Sequence, residues 1–383
     1  MSKNNKKNSL KYNLIRPISN EKWQPITIPL AAIIISFVAA AIVILLIGKN
    51  PFQAFYSLLQ GAGIMPKPSY AGYKSMLTDF LSLLNAMTPL VFASLAVTVA
   101  YRAGLFNIGV AGQMLVSGFL ATIIVGYSGL DAYIAKPLVL VIGIIAGGLM
   151  GGLVGWLKYK FNINEVVSTI MLNYIAQYVI SFFIQMYYID PVSRQSQYIS
   201  DASRLTLVNV EMGNLKMDIP LGFILAILTA ILIKFVMDKT VVGFELKAVG
   251  SNRKAAKYAG INVGKNTILA MVISGGLAGL AGVTYYLGYY ASIQPKVLSD
   301  IGFDSIAVSL LGNSHPIGVI FSSFLVSIID QGSTYMSSQA GIRQEISSVI
   351  VGLILLFSAC GVYMKYKVSR IKEKEAERKE SKA

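Results

Sequence analysis

The run EVVSTIMLNYIAQYVISFFIQ, residues 165–185, decides the architecture of this chain. It is apolar and rich in Ile and Tyr. A polar side chain nevertheless recurs at every fourth position, Glu165, Thr169, Asn173, Gln177, Ser181 and Gln185, with only Ser168 out of register. As a helix the run extends over roughly 30 Å, the hydrocarbon thickness of a bilayer. A helix that crosses lipid does not leave such a ladder in hydrocarbon, where unsatisfied hydrogen-bonding groups are costly. The stripe therefore faces protein or a watery path. Steps of four overshoot a 3.6-residue turn by about 40° each, so neighbours share a face while the two ends do not. For any single group the plainer role is to hold neighbouring helices together; the stripe as a whole points to a pathway.

The remainder of the chain has the same character. Of 383 residues, 55% are hydrophobic and 13% charged, with a mean hydropathy of +0.62, which places the chain among polytopic membrane proteins. Apolar runs long enough to cross a bilayer fall at 26–48, 79–100, 104–126, 137–157, 165–189, 219–237, 267–290 and 346–363, with shorter pieces at 303–313 and 316–330. The expectation is an all-α fold of about 8–10 helices. A basic segment, 1–25, precedes one membrane domain, 26–363, and a charged tail, 364–383, follows it. The first span is too long for a signal-peptide core and reads as a retained helix.

The net charge of +15 is distributed by side. Lys and Arg crowd the first 25 residues, the tail, and the loop at 238–266, which holds Lys239, Lys247, Arg253, Lys254, Lys257 and Lys265. The loop at 190–218 carries three basic residues, Arg194, Arg204 and Lys216, against four acids, Asp190, Asp201, Glu211 and Asp218. The positive-inside rule puts both termini and the 238–266 loop in the cytoplasm and the 190–218 loop outside. The charge therefore reports orientation and contact with lipid, and nucleic-acid binding is a poor explanation for it.

Counting crossings from a cytoplasmic N-terminus leaves the chain outside near 291–302, and 346–363 must end inside. The region between either crosses twice or enters and returns on one side. Each piece is short, and Gly312, Pro316 and Gly318 sit at the join, so two half-helices meeting near mid-membrane are expected.

Gly143, Gly147, Gly151 and Gly155 form a small-residue ridge for close helix packing, and GLAGLAG at 276–282 reads the same way. The segment YRAGLFNIGVAGQM, 101–114, places Asn107 and Gln113 among glycines that permit unwound backbone, the means by which carriers build sites at membrane depth; a tight turn between spans explains it almost as well. GFDSIAVSLLGNSHP, 302–316, reads as a faint second copy from the other side, as in an inverted repeat. The loop FELKAVGSNRKAAKYAGINV, 244–263, alternates small and basic residues, the pattern of a short helix offered to a partner, or of a solvated charge run drawn to anionic lipid. Asn162 and Glu165 have capping-box spacing.

Bond-making chemistry is missing. One His and one Cys build no metal cluster, Cys/His pair or disulfide. GINVGKNT at 260–267 falls one residue short of a phosphate loop and has Asn266 where Ser or Thr is needed, so the chain cannot hydrolyse ATP by itself. Glu165, Asp304, Asp330 and Glu345 all fall near expected span ends, which weighs against an ion-coupled carrier.

GLFNIGVAGQM (104–114), NEVVSTIMLNYIA (164–176), LKAVGSNRKAAKYAGINV (246–263) and GFDSIAVSLLGNSHPIG (302–318) occur in order over about 210 residues. Together they resemble permease subunits of ATP-binding-cassette importers in the branched-chain amino acid, simple-sugar and nucleoside group, and NEVVSTIMLNY is most similar to the nucleoside branch. The resemblance implies a plasma-membrane permease with re-entrant half-helices and inverted-repeat architecture, and no cofactor of its own. Its implied partners are a second permease subunit, cytoplasmic ATP-binding subunits that bind the ATP, and an extracytoplasmic substrate-binding protein or lipoprotein. Ala248, Gly250, Asn252, Arg253, Ala255, Ala256 and Gly260 would form the coupling loop. Asn107, Gln113, Thr169, Asn173, Tyr174, Gln177 and Asn313 are the expected substrate path, with amides for the nucleoside's polar edges and tyrosines, Tyr174 or Tyr178, for its aromatic face. NSHP at 313–316 departs from the glycine-rich turn the resemblance implies. Ribose, galactose or another small polar solute is the alternative cargo, and an ion-coupled carrier the alternative class.

Overall fold

A computed structural model describes residues 24–361 and, beyond them, Tyr363, Tyr366, Lys367 and Arg370. The basic segment 1–23 and most of the charged tail, on which the orientation of the termini rests, lie outside the described residues. Among the described residues there are thirteen α-helices and one two-stranded β-ribbon. Seven helical stretches are long and apolar enough to cross a membrane.

The chain divides into two compact units, Met1–Pro51 with Glu345–Ala383, and Phe52–Gln344. In the first, α1 (Gln24–Leu46) buries Ile28, Ala32, Ser36, Ala40 and Ile44, a four-residue repeat that forms one narrow face. The last helix, Ile346–Ala359, lies against it and buries Ser347, Ile350, Val351 and Ile354. The Ser36 hydroxyl donates to the Ala32 carbonyl at 2.7 Å and lies 3.3 Å from the Leu353 carbonyl, so its polarity is satisfied within protein.

The second unit is built around α3 (Met76–Arg102) and the helix Val263–Thr284, the two most enclosed spans. In chain order it contains α2 (Pro51–Gly61), α3, α4 (Val110–Ala121), α5 (Ala132–Phe161), α6 (Glu165–Phe183), β1 (Thr206–Met212), β2 (Leu215–Pro220), α7 (Leu221–Lys239), α8 (Val241–Ser251), α9 (Arg253–Tyr258), α10 (Val263–Thr284), α11 (Ile301–Leu311) and α12 (Pro316–Ala340); α13 is Ile346–Ala359 of the first unit. Single π-helical turns extend α4 to Gly126, α6 to Tyr188 and α10 to Tyr290.

Between apolar helices in lipid, close van der Waals packing replaces the hydrophobic drive. The glycine ridge supplies it. Gly143, Gly147 and Gly151 of α5 meet Gly275 and Gly279 of α10 so closely that a methyl at Gly147 would overlap the Gly275 carbonyl oxygen, and one at Gly151 the Met271 carbonyl oxygen. Gly282, from the second glycine run, abuts the Met114 carbonyl of α4 in the same way.

Two segments enter this bundle from opposite ends. After α3 the chain turns at Gly104, φ +69°, runs back without helical structure and starts α4 alongside α6. After α10 it turns at Ala291, φ 61°, and runs to the start of α11, where Gly302 meets Ala111 near the start of α4. The half-helix character therefore belongs to α4 and α11. The apolar run at 104–126, expected as a full crossing, is helical only from Val110.

The second expected half-helix, 316–330, is a full-length helix of 25 residues reaching Ala340. Its serines and glycines lowered the local hydropathy enough to hide ten further helical residues. The join at Gly312–His315 also lies away from mid-bundle: Arg102, the last residue of α3, donates from Nε to the Ser314 carbonyl at 2.6 Å. Asp330, expected near a span end, consequently sits well inside α12.

Asx and Thr caps set the helix breaks. Asn164 starts α6 by accepting from the Val166 N–H, Thr240 starts α8, Asn252 starts α9 and Asn262 starts α10. The expected Asn162 capping box does not form. Asn162 ends α5 in the left-handed region, φ 53°, and Glu165 instead pairs with Lys158 across the turn. The acidic 190–218 loop is not bare coil: β1 and β2 pair antiparallel with a bulge between Leu207 and Val210, and an isolated antiparallel bridge joins Ile189 and Ser196.

Candidate functional site

The first cluster forms where the 105–109 segment meets α4, α6 and α10. Asn107 is buried, and its Nδ2 donates to Gln113 Oε1 at 3.0 Å and to Ser274 Oγ at 2.9 Å, while its Oδ1 accepts from the Gly109 N–H. The Ser274 hydroxyl in turn donates to the Ala96 carbonyl of α3. Asn173 binds the same segment from α6: Oδ1 accepts from the Gly112 N–H at 2.9 Å and Nδ2 donates to the Ile108 carbonyl at 3.0 Å. Thr169, fully buried, lies against Gly109. Four residues expected on the path, Asn107, Gln113, Thr169 and Asn173, are thus brought together, with Asn107 and Asn173 holding the unwound backbone, Gln113 bonded to Asn107, and the Thr169 hydroxyl donating to carbonyls of its own helix.

Higher on α6 the stripe meets the opposite entry. Gln177 donates to the Lys296 carbonyl at 2.6 Å, and Ser181 Oγ accepts from the Lys296 N–H at 2.7 Å. Tyr174 and Tyr178 point elsewhere, 52% and 63% exposed on the outer face of α6. The tyrosines that enclose space lie on the π-helical end of α10. Tyr285, Tyr286 and Tyr290, with Gln195, Ser292 and Asp300, line a cavity of about 240 Å³ beneath the 190–200 loop. Sequence reading passed over them, although the aromatic run YYLGYY at 285–290 followed by a polar, proline-containing segment was the available signal. Asp330, expected near a span end, is exposed on the middle of α12, misplaced for the same reason that α12 was cut short.

The expected coupling residues gather at the end of the bundle where α3 stops. Gly250 packs against the backbone of Arg102–Gly104, and a methyl there would overlap the Arg102 carbonyl. Ala256 is buried, Asn252 caps α9 through the Lys254 and Ala255 N–H groups, and Arg253 reaches the Gly104 carbonyl at 3.4 Å. Ala248 is half-buried, whereas Ala255 and Gly260 are exposed beside Tyr258, itself 94% exposed. The small residues of the loop therefore serve two surfaces. Asp238 at the end of α7 takes both Arg102 and Lys247 at 3.7 Å, tying α8 to α3 and to the 312–315 turn. Asn313 is exposed on that turn, φ 54°, and does not join the Asn107 cluster.

His315 accepts from the Ile317 N–H through Nδ1 and caps α12. Burial, followed by the nearby Arg102 guanidinium, holds its pKa below the ordinary imidazole value. The folded chain therefore resists protonation there, and stability is lost as pH falls through the ordinary imidazole range. Thermal midpoints of the purified chain between pH 7.5 and 5.5 are expected to fall, and His315→Gln is expected to flatten part of that slope. Among the described residues no group of three or more His, Cys, Asp or Glu could hold a metal ion.

Over residues 80–359 the chain matches the family described as branched-chain amino acid transport system / permease component. It is 35% identical over 352 residues to the guanosine ABC transporter permease protein NupP of Bacillus subtilis (strain 168), covering 91% of this chain and 97% of that one. The nucleoside ABC transporter permease protein NupB of Lactococcus lactis subsp. cremoris is 34% identical over 373 residues, 94% and 98% of the two chains. The glucose ABC transporter permease protein TsgB13 of Haloferax volcanii is 25% identical over 357 residues, 90% and 89% of the two chains. The family match takes in the unwound 105–109 entry, the α8–α9 pair and the α11–α12 turn alike, and this chain is a multi-pass membrane permease subunit of the branched-chain amino acid transport system / permease component family.

Proposed function

We propose that the chain is the permease subunit of an ATP-driven importer that carries nucleosides such as guanosine or adenosine into the cell. The observation that carries this reading is the 34–35% identity, over more than nine-tenths of both chains, to permeases named for guanosine and nucleosides, against 25% to one named for glucose. In this reading the chain lies in the plasma membrane with both termini inside, beside a second permease subunit. An extracytoplasmic binding protein or lipoprotein delivers substrate, and cytoplasmic ATP-binding subunits grip α8 and α9.

The geometry supports a route for force. Movement of α8 is carried by Lys247 and Asp238 to α7, by Gly250 and Arg102 to α3, and by the Ser314 contact to the α11–α12 turn. These reach the two unwound entries beside α6. Asp330 supports a path along α12, because a carboxylate in the middle of a spanning helix is too costly to face lipid.

Tyr258 touches little of its own chain, so Tyr258→Ala leaves the fold intact while removing contact area from the docking face. ATP-driven guanosine uptake is expected to drop by about tenfold, the effect of losing roughly 1.4 kcal/mol at an interface aromatic. Uptake equal to wild type with normal membrane levels would argue against docking at this face. For the reading as a whole, uptake of labelled guanosine, adenosine and ribose is compared in cells with and without the chain, under an uncoupler that spares ATP. Loss of nucleoside uptake alone, insensitive to the uncoupler, is the expected result; loss of ribose uptake alone would move the substrate to sugars.

A further inference from the structure

The cavity beneath the 190–200 loop is unlike the rest of the unit's interior. Most buried side chains there are small or aliphatic, and most buried polar groups are paired. Here the wall is aromatic and amphipathic. Tyr285 packs edge-on against Tyr290 at 4.9 Å between ring centroids, and Tyr290 against Tyr289 at 4.8 Å, leaving the Tyr290 ring half exposed. Gln195 Oε1 accepts from the Ser292 hydroxyl at 2.7 Å, which orients the amide and leaves its Nε2 hydrogens without a partner. Gln294 and Asp300 line the cavity and are exposed, so their polar groups are open to a solute. At about 240 Å³ the space lies just under the range of roughly 300–1,000 Å³ usual for small-molecule pockets, room for one small solute.

These groups match the parts of a nucleoside. A flat base lies against tyrosine rings and uses its amide and amino edges on glutamine amides, while a ribose diol donates well to a carboxylate. The acid also discriminates by charge. Asp300 lies near enough to Asp304 and Asp330 for the three carboxyls to act on one another. A phosphate brought to these carboxyls meets like charge, so a neutral nucleoside is favoured there over a nucleotide.

Building on the reading of the chain as a nucleoside permease, we propose that this cavity is where substrate first engages it. The base lies on the Tyr285–Tyr290 rings, its edge on Gln195 and Gln294, and its ribose hydroxyls on Asp300. The segment 292–300 that forms one wall also hydrogen-bonds α6 through Lys296, so occupancy is read directly by the entry that leads to α11.

The test uses the complete transporter in proteoliposomes loaded with ATP. At low guanosine concentration, Gln294→Leu and Asp300→Asn are each expected to cut uptake by about tenfold or more, the effect of one hydrogen bond to an amide or carboxylate, with the amount of assembled complex unchanged. Asp300→Asn is expected to leave uptake of 2′,3′-dideoxyguanosine unaltered, since that probe lacks the diol, and to lessen the exclusion of guanosine monophosphate. Wild-type guanosine uptake by both variants would overturn the assignment while leaving the nucleoside reading intact. A wild-type transporter that carries ribose and no nucleoside would overturn that reading itself. If the variants fail to assemble, wild-type protein is labelled with 8-azidoguanosine: label within 285–300 supports the site, and label confined elsewhere overturns it.

Discussion

Gly279→Leu is expected to leave no folded chain to purify. A methyl at this position would already overlap the Gly143 carbonyl oxygen and crowd the Gly147 Cα, before the rest of the side chain is placed. Both obstacles are backbone, so no rotamer change relieves them, and α5 and α10 must move apart along their whole shared ridge. Ordinary overpacking in a core costs about 1–3 kcal/mol where neighbouring side chains can yield. Here the loss also includes the close contacts that hold these helices together in lipid. Against a total stability of about 5–15 kcal/mol, such a change removes most of the margin. Gly276→Ala is the matched control on the same helix, because a methyl there sits 3.5 Å from Ile144, an ordinary contact. Size-exclusion profiles and thermal midpoints in detergent check both; a Gly279→Leu chain as stable as the Gly276→Ala chain would refute the role given to the ridge.

The second large effect is expected at Asn107. Its side chain satisfies Gln113, Ser274 and the Gly109 N–H at once, in a place closed to water. Asn107→Leu leaves the Gln113 carbonyl oxygen and the Gly109 N–H without this partner. At about 1–3 kcal/mol for each orphaned group, the loss is on the order of 2–6 kcal/mol. The 105–109 segment would then lose its set position, and transport should fall further than the amount of folded protein. Asn173→Leu strips the Ile108 carbonyl of that segment and the Gly112 N–H in the first turn of α4 and should show the same two effects. Gln177→Leu, whose single contact is to the Lys296 carbonyl, should lose less stability. If Asn107→Leu and Asn173→Leu melt and transport as wild type does, the unwound entry is not held by these amides.

The class of protein, most of its spans and its family were legible because they rest on local quantities. Mean hydropathy over a helix length and four motifs in fixed order need no knowledge of distant contacts. The glycine ridge was legible for the same reason, since a four-residue repeat of small side chains has few other uses in an apolar helix. The polar stripe was legible as a buried face, but whether it binds solute or backbone depends on what lies opposite. Asn173 finds Gly112 and Ile108, sixty or more positions away in sequence, and no property of NEVVSTIMLNY reveals that.

Three matters were decided by the tertiary structure. The α11–α12 turn lies beside Arg102, because the part-buried guanidinium donates to the Ser314 carbonyl, and α12 runs from there to Ala340, which leaves Asp330 in mid-helix. Gly250 is small because its own chain passes beside it at Arg102–Gly104, a requirement invisible in a loop read for its partner. The tyrosines that enclose a cavity are on α10, while those of the polar stripe's helix face outward, since rings are directed by helix packing and the sequence period only sets which residues share a face. Local composition thus determined that this chain crosses a membrane and to which family it belongs. Which polar groups hold the backbone was settled by pairings between segments far apart in sequence.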